Sequence, residues 1–409
     1  MSAAAPAEQQ PLDGIVVVDL SQIYNGPYAT FLLAAAGATV IKIEPPGGEP
    51  LRRRGVVGGA ALPFAMLNGL KQCIVLDLKS ADGKQALLDL ARDADVLVEN
   101  YAPGTMPRLG LGADVLQGLN PRLIYASSSG FGSDGPYRNY PAMDLTIQAM
   151  AGVMSTTGFP DRPPVKAGPA LCDFFAGIHL YGAITTALYE RSTTGVARRL
   201  EVAMQDAVYA SLSSSLGMAW GQQGAANPPP PRTGNRHGGL AEAPYNVYPT
   251  QDGWIAIICV GDVHWASLIR LMERSDLAAD PRFGSLKGRV AHMDEVDAIV
   301  SGWTSARTKE DAFQALMGAG VPCAPVRDLQ EVMNDPNMHA RGALQWQNHP
   351  DHGRIVVQHS PLRFAGVTPR PLEPSHALGA DTTAVLRARL GWADDRIARA
   401  QTRPKASLS

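Results

Sequence analysis

The stretch AGPALCDFFAGIHL (residues 167–180) holds one acid, Asp173, the single charged side chain between Lys166 and Glu190. Burying a carboxylate without a partner is costly, so this position calls for a structural tie or a reaction. The residues alone leave two readings open. An Asp ahead of a helix is a preferred N-cap, accepting from backbone N–H groups of the first turn. A carboxylate flanked by Leu171, Cys172, Phe174 and Phe175 also suits covalent catalysis, attacking an activated acyl carbon where water is kept out. In either case the helix N-terminus steadies the anion.

Other candidates carry less chemistry. Cys73, Cys172, Cys259 and Cys323 lie far apart with no CxxC pair, a pattern of reduced thiols rather than disulfides or zinc. His179, on the apolar helix after Asp173, reads as a packed core side chain. His349 and His352, in NHPDHG, have loose metal spacing without a third ligand nearby, so they read as loop residues and no metal is expected. Arg52, Arg53 and Arg54 read as a solvated charge run or, alternatively, a phosphate contact.

The elements that must position these groups follow from periodicity and punctuation. GIVVVDL (14–20), PYATFLLAAAG (27–37) and ATVIKIE (38–44) read as strand, helix and strand, the helix opening with Pro and closing with Gly. CIVLDL (73–78), ADVLVEN (94–100) and RLIYASSSG (122–130) add three parallel strands, separated by helices over 81–94 and 113–119. An open α/β sheet is the most economical fold. A helix is expected just after Asp173, with Ile178, Tyr181, Ile184 and Leu188 at near-helical spacing on its apolar side. Residues 198–218 supply a further strand and helix. NPPPPRTGNRHGG (227–239) forms no regular element and reads as a linker. Beyond it, PYNVYPTQDGWIAIICV (244–260) is a hairpin pattern, followed by helices at 264–272 and 309–321 and a capped helix within 379–392.

Composition narrows the partners. The chain of 409 residues, 45% hydrophobic and 18% charged, carries a formal net charge of −2. That balance, without a basic arm or an interleaved aromatic stripe, excludes non-specific nucleic-acid binding. The N-terminal MSAAAPAEQQPLDG lacks signal architecture and reads as a short disordered arm, and no membrane partner is expected. Cytoplasm is the expected compartment. A nicotinamide dehydrogenase is the tempting alternative, because Glu44 ends the second strand as a ribose-binding acid would. The first loop, Leu20-Ser21-Gln22-Ile23-Tyr24-Asn25-Gly26-Pro27, lacks the GxGxxG that admits a pyrophosphate, and Pro27 removes a helix N-terminal donor.

Taken in order, GPYATFLLAAAGATVIKIEPPGG (26–48), LNGLKQCIVLDLK (67–79), ADVLVENYAPGTMPRLGLG (94–112), NPRLIYASSSGFGSDGPY (120–137), STTGFPDRPPVKAGPALCD (155–173) and GVPCAPVRDLQEV (320–332) resemble the class III coenzyme A transferases of the CaiB/BaiF type, which include the formyl-CoA transferases. The likeness spans nearly the whole chain. It implies that Asp173 is the nucleophile of a CoA-transferase, with acyl-CoA and a free carboxylic acid as substrates and no cofactor. It also implies CoA contacts at Tyr24, Asn25, Leu76, Lys79, Asn100, Tyr101 and Arg108. Bland alternatives remain for Leu76 as core and for Lys79 and Arg108 as surface charges.

The chain departs from the resembled pattern in places. Tyr24 stands where the formyl-CoA enzymes carry Gln, Pro141 where they have Lys, and Pro45 where a basic residue often follows the strand-ending acid. GNRHGGLAEA (234–243) is the nearest match to their glycine lid. Arg232 and Arg236 are candidate anchors for a substrate carboxylate, and succinyl-CoA is a candidate donor. The related acyl-CoA racemases use a His before the acid of YPAMDLTIQAMAG (140–152). Here Met143 precedes Asp144, and a thioether exchanges no α-proton. A non-catalytic CoA-binding protein is the alternative from another class.

The architecture implied is a large Rossmann-like domain from 1–225 with 345–409 and a smaller inserted α+β domain at 241–335. Linkers fall at 226–240 and 336–344, and the resemblance implies an interlocked homodimer.

Overall fold

A computed structural model of the chain describes residues 9–53, 62–226, 228 and 230–402. Arg54, most of the expected N-terminal arm, the tail from 403 and positions 227 and 229 of the proline-rich stretch lie outside the described residues. The chain divides into two compact units, one of 1–147, 170–208 and 335–409, the other of 148–169 and 209–334. Relative to the reading from sequence, 148–169 and 209–225 fall in the second unit.

The first unit is built on a parallel sheet. Its strands are β1 (Val16–Asp19), β2 (Thr39–Glu44), β3 (Gln72–Val75), β4 (Val96–Glu99), β5 (Ile124–Ser129) and β6 (Arg199–Ala203). They lie in the order β3-β2-β1-β4-β5-β6, all neighbours parallel. Short β-branched runs suit such strands because both faces are covered. Alternate residues serve opposite layers. Val18, Ile41, Ile74 and Leu97 join a core with Leu87, Leu116, Leu386 and Ile397, under helices Ala81–Asp93, Ala113–Leu119, Thr382–Leu390 and Asp394–Gln401. Val17, Val40, Val96, Ile124 and Ala126 face Phe31, Leu33, Leu180 and Ile184 of helices Asn25–Ala35 and Leu171–Thr194. The chain's end is sewn to the sheet edge, where Cys73 N–H donates to Asp381 Oδ2 at 2.7 Å and Val75 N–H to Thr382 Oγ1 at 3.0 Å.

Helix Leu171–Thr194 is long and apolar enough by composition to cross a membrane. Its inner face, including Leu180 and Ile184, lies instead in the sheet's core. Two sequence expectations for it need correction. Ile178 is half-exposed at 50%, and His179 is exposed, its Nδ1 2.8 Å from Phe175 O, rather than packed in the core. Gly177 allows the Asn25 helix to cross closely, since a Cβ there would sit 2.7 Å from Asn25 O. An antiparallel hairpin, β10 (Leu344–His349) and β11 (Gly353–Gln358), completes the unit. His349 ends a strand rather than lying in a loop, buried with Nε2 3.1 Å from Ser375 Oγ.

The second unit has its own core. Strands β7 (Tyr245–Pro249), β8 (Trp254–Ile258) and β9 (Cys323–Pro325) form an antiparallel sheet. Tyr248, Ile255 and Ile257 pack on Trp265, Leu268, Val300 and Leu316.

Beneath the first βα turn lies a fully buried polar network. Lys71 Nζ reaches Asp19 Oδ2 at 3.1 Å, Thr30 Oγ1 at 2.8 Å, Asn68 Oδ1 at 2.9 Å and Pro27 O at 3.0 Å. Burial raises the Asp19 pKa, but Lys71, Lys42 and the hydroxyls of Ser21 and Thr30 outweigh it and hold the carboxyl at about 2. Removing one partner of such a pair strands the other charge. Lys71→Met is therefore expected to cost about 3–5 kcal/mol in urea unfolding; wild-type stability would show the pair to be dispensable.

Candidate active site

In doubly wound sheets ligands bind at the carboxyl ends of the strands, where the strand order reverses. Here the order reverses between β1 and β4. A cleft of about 570 Å³ opens at that point, lined by the loops after β1, β4 and β5 and by Asp173. The two loops at the reversal are stitched together, since Asn100 Oδ1 accepts from Gln22 N–H and Asn100 Nδ2 donates to Gln22 O, both at 2.8 Å.

The first loop is held in a strained shape. Ile23 has φ +66°, unusual for a β-branched residue and costing about 1–3 kcal/mol. Glu49 Oε2 accepts the Ile23 N–H at 3.1 Å, and Lys42 Nζ donates to Ser21 O at 2.9 Å. Gly26 permits the turn, because a Cβ there would lie 2.2 Å from that of Ser21. The loop delivers Asn25, 2% exposed, to the cleft wall. Ser128 Oγ donates to Val202 O at 2.8 Å, so it must accept from Asn25 Nδ2, also at 2.8 Å. That fixes the amide and leaves Asn25 Oδ1 a buried acceptor without a protein partner.

Asp173, 9% exposed, lies in the first turn of helix Leu171–Thr194, two residues inside its start. It is therefore not the N-cap. Ala170 occupies that position with no side-chain cap, and the helix begins before Asp173 rather than after it. The capping acceptor comes from elsewhere in the fold. Asp144 Oδ1 accepts the N–H of Cys172 at 2.9 Å and of Asp173 at 3.3 Å. These two N–H groups of the first turn are thus satisfied by a carboxylate from outside the helix. Burial pushes the Cys172 thiol up to about 12, so it stays protonated and is a poor rival nucleophile.

Of the CoA contacts implied by the resemblance, Asn25, Asn100 and Tyr101 line the cleft together with Asp173. The others lie apart. Tyr24 stacks on Phe174 at 5.9 Å and lines a separate apolar pocket. Leu76 is 1% exposed within the sheet core. Lys79 and Arg108 are exposed outside the cleft lining, with Arg108 donating to Thr105 Oγ1 at 2.9 Å. Arg52 is engaged by Glu44 at 2.9 Å, so the acid ending β2 is internally paired. Arg236 is held by Asp297 at 2.6 Å and by Asp294 at 2.5 Å, and Arg232 donates to Phe159 O and Arg162 O.

The sequence reading passed over two residues. Arg138 is the one cation among the described lining residues of the cleft, three positions before Pro141. Asp144 was weighed only as the neighbour of Met143, and nothing in its local pattern marks a cap supplied across the fold. Among the described residues no group of three His, Cys, Asp or Glu is placed to hold a metal.

The model of CoA-transferase family III matches residues 12–382. Acetyl-CoA:oxalate CoA-transferase of Acetobacter aceti is 39% identical over 370 residues, 90% of this chain and 92% of its own. Succinate–glutarate CoA-transferase of Agrobacterium fabrum is 35% identical, covering 89% of this chain and 94% of its own. A crystal structure of a CaiB/BaiF family protein from Brucella suis superposes with a TM-score of 0.81 at 32% identity, over 93% of this chain and all of that one.

Two measurements check this geometry. Asp144→Ala should cost about 1 kcal/mol, the value of a lost helix cap, while Asp144→Asn, which retains an acceptor oxygen, should cost much less; equal losses would remove the cap from Asp144. Burial raises Glu99, beside the cleft, to about 7 against the downward pull of Tyr101 N–H and the Tyr125 hydroxyl. Folded protein then keeps a proton that the unfolded chain loses near pH 4.5. The stabilisation is complete below that value and is lost as pH rises through about 7. Urea midpoints should follow this slope in the wild type and lose it in Glu99→Gln.

Proposed function

The chain belongs to CoA-transferase family III and is a CoA-transferase, and we propose that it works through a covalent intermediate on Asp173. The observation that supports this reading is a nearly buried carboxylate in the wall of a cleft at the sheet's switch point, on a helix turn whose N–H groups bond to Asp144.

In the reaction we propose, an Asp173 oxygen attacks the thioester carbonyl of the donor, and the C–S bond breaks to give a mixed anhydride and CoA thiolate. The thiolate then attacks the Asp173 carbonyl carbon, forming an aspartyl-CoA thioester and releasing the first acid. An incoming carboxylate attacks this thioester and expels the thiolate, which returns to the new acyl carbon and restores Asp173. Each bond broken is replaced by one of similar activation, so no ATP or metal is required. Water must be kept from the anhydride, and the burial of Asp173 supports this. Asn25 Oδ1 offers an acceptor for a pantetheine N–H, and Arg138 a cation for CoA phosphate. Further parts of the proposal are a homodimer in the cytoplasm and no bound cofactor.

Racemisation is disfavoured, because Met143 precedes Asp144 and no histidine is found among the described residues lining the cleft. Succinyl-CoA and acetyl-CoA should be tried as donors against a panel of acids, with new thioesters read by mass spectrometry. Asp173→Ala should lose transfer by at least about 10³-fold while retaining CoA binding, the scale expected when a nucleophile is removed. Turnover that survives in the variant, or label on another residue after hydroxylamine trapping, would overturn the assignment.

A further inference from the structure

Helix Asn25–Ala35 begins with its first N–H groups unclaimed. Tyr24 precedes it without a side-chain cap, and its first turn carries no acid. Pro27 has no N–H to offer. The N–H groups of Asn25 and Gly26 remain, and neither meets an acceptor among the described residues. Both residues are buried, Asn25 at 2% exposure. Buried N–H groups left in this way are rare. At a helix start they point outward along the axis, with the positive end of its dipole.

The Asn25 side chain gives a second sign of a ligand. Its Nδ2 is spent on Ser128 Oγ, and its Oδ1 is a buried acceptor without a protein partner. One residue of the cleft wall thus holds an unfilled acceptor and, on its backbone, an unfilled donor. Asp173 lines the same cleft. The helix that carries it passes against Asn25, since a Cβ on Gly177, one turn beyond Asp173, would lie 2.7 Å from Asn25 O. Tyr24 likewise stacks on Phe174 at 5.9 Å.

We propose that the Asn25 and Gly26 N–H groups form the oxyanion hole of the transfer, holding the carbonyl oxygen of the thioester that Asp173 attacks. The inference rests on the Asp173 mechanism above. As an Asp173 oxygen bonds to the acyl carbon, the C=O electron pair moves onto the carbonyl oxygen. It returns when the C–S bond breaks and the thiolate leaves. Charge thus develops transiently on one atom, and fixed donors there lower the barrier without reorganising. The pantetheine amide sets the register. Two methylenes separate its N–H from sulfur, a span comparable with that from Oδ1 to the backbone N of one asparagine. With that N–H on Asn25 Oδ1, the thioester carbonyl comes within reach of the backbone donors. The φ of +66° at Ile23 fits this role, because it turns the chain so that the helix starts at the cleft.

The test removes one N–H and keeps the side chain. Incorporating the α-hydroxy analogue of asparagine at position 25 replaces the Tyr24–Asn25 amide by an ester. The rate of Asp173 acylation by acetyl-CoA or succinyl-CoA in a single turnover should then fall by about 10²- to 10³-fold, the cost of one oxyanion donor. KM for the acyl-CoA should stay near the wild-type value, and so should the urea midpoint, because this N–H meets no protein acceptor. An ester at Gly26 should act likewise. Asn25→Ala, which keeps the N–H, should do the reverse, raising KM by about tenfold for one lost hydrogen bond with little change in kcat. An ester at Tyr28, which removes only the N–H donated to Tyr24 O, should acylate at close to the wild-type rate. Esters at 25 and 26 that acylate as fast as the Tyr28 ester would overturn the oxyanion hole. A loss confined to product inhibition by CoA would also overturn it, placing the thiolate there instead. An unlabelled Asp173 in the wild type would overturn the Asp173 mechanism itself.

Discussion

The site depends on a charge pair buried where no ligand reaches. Asp19 and Lys71, both essentially inaccessible, lie beneath the turn that follows β1. Asp19 Oδ1 takes the N–H of Ser21 at 2.9 Å, and its Oδ2 takes the Thr30 hydroxyl at 2.6 Å. Lys71 reaches across to Pro27 O in the Asn25 helix. One carboxylate thus sets the direction in which the chain leaves the strand and enters the helix. Such a pair contributes little net stability compared with a hydrocarbon core, but it tolerates only one arrangement of its partners. That property suits a loop that must hold Ile23 at positive φ and present Asn25 at a fixed angle.

From this turn the constraint passes to Asp173 by packing. The Asn25 helix and the Asp173 helix cross at Gly177, where no side chain would fit against Asn25 O. The close crossing lets Tyr24 and Tyr28 meet Phe174. Asp144 then fixes the second helix at its open end. Asp173 is therefore placed from two sides, by a helix contact and by a capping carboxylate.

The elements of the first unit were largely legible in the sequence, because parallel strands are short apolar runs and their helices are punctuated by Pro, Gly and Ser. Asp173 stood out as a lone acid in an apolar stretch, where capping was the bland reading and only the family resemblance pointed to a nucleophile. What the sequence concealed was pairing at a distance. The cap on the Asp173 helix comes from residue 144, and the acid ending β2 is neutralised by Arg52. Periodicity also placed His179 and Ile178 inside, since a helix of nearly uniform apolarity gives little indication of which face meets the sheet. Lys79 and Arg108 could be matched by position, yet their exposed side chains lie outside the cleft lining. A linear motif fixes where a backbone runs more firmly than where a long cation points.

The two cavities lined from the first βα turn differ in polarity. On one side are amides, serine hydroxyls and an arginine; on the other are aromatic rings, Met66 and Leu67. An amide-bearing side chain at position 24 would bring hydrogen-bonding capacity to the apolar cavity, whereas Tyr24 presents a ring stacked on Phe174. Tyr24 thus turns an aromatic face to Phe174 and lines the apolar cavity, while Asn25, its neighbour in the chain, lines the polar cleft.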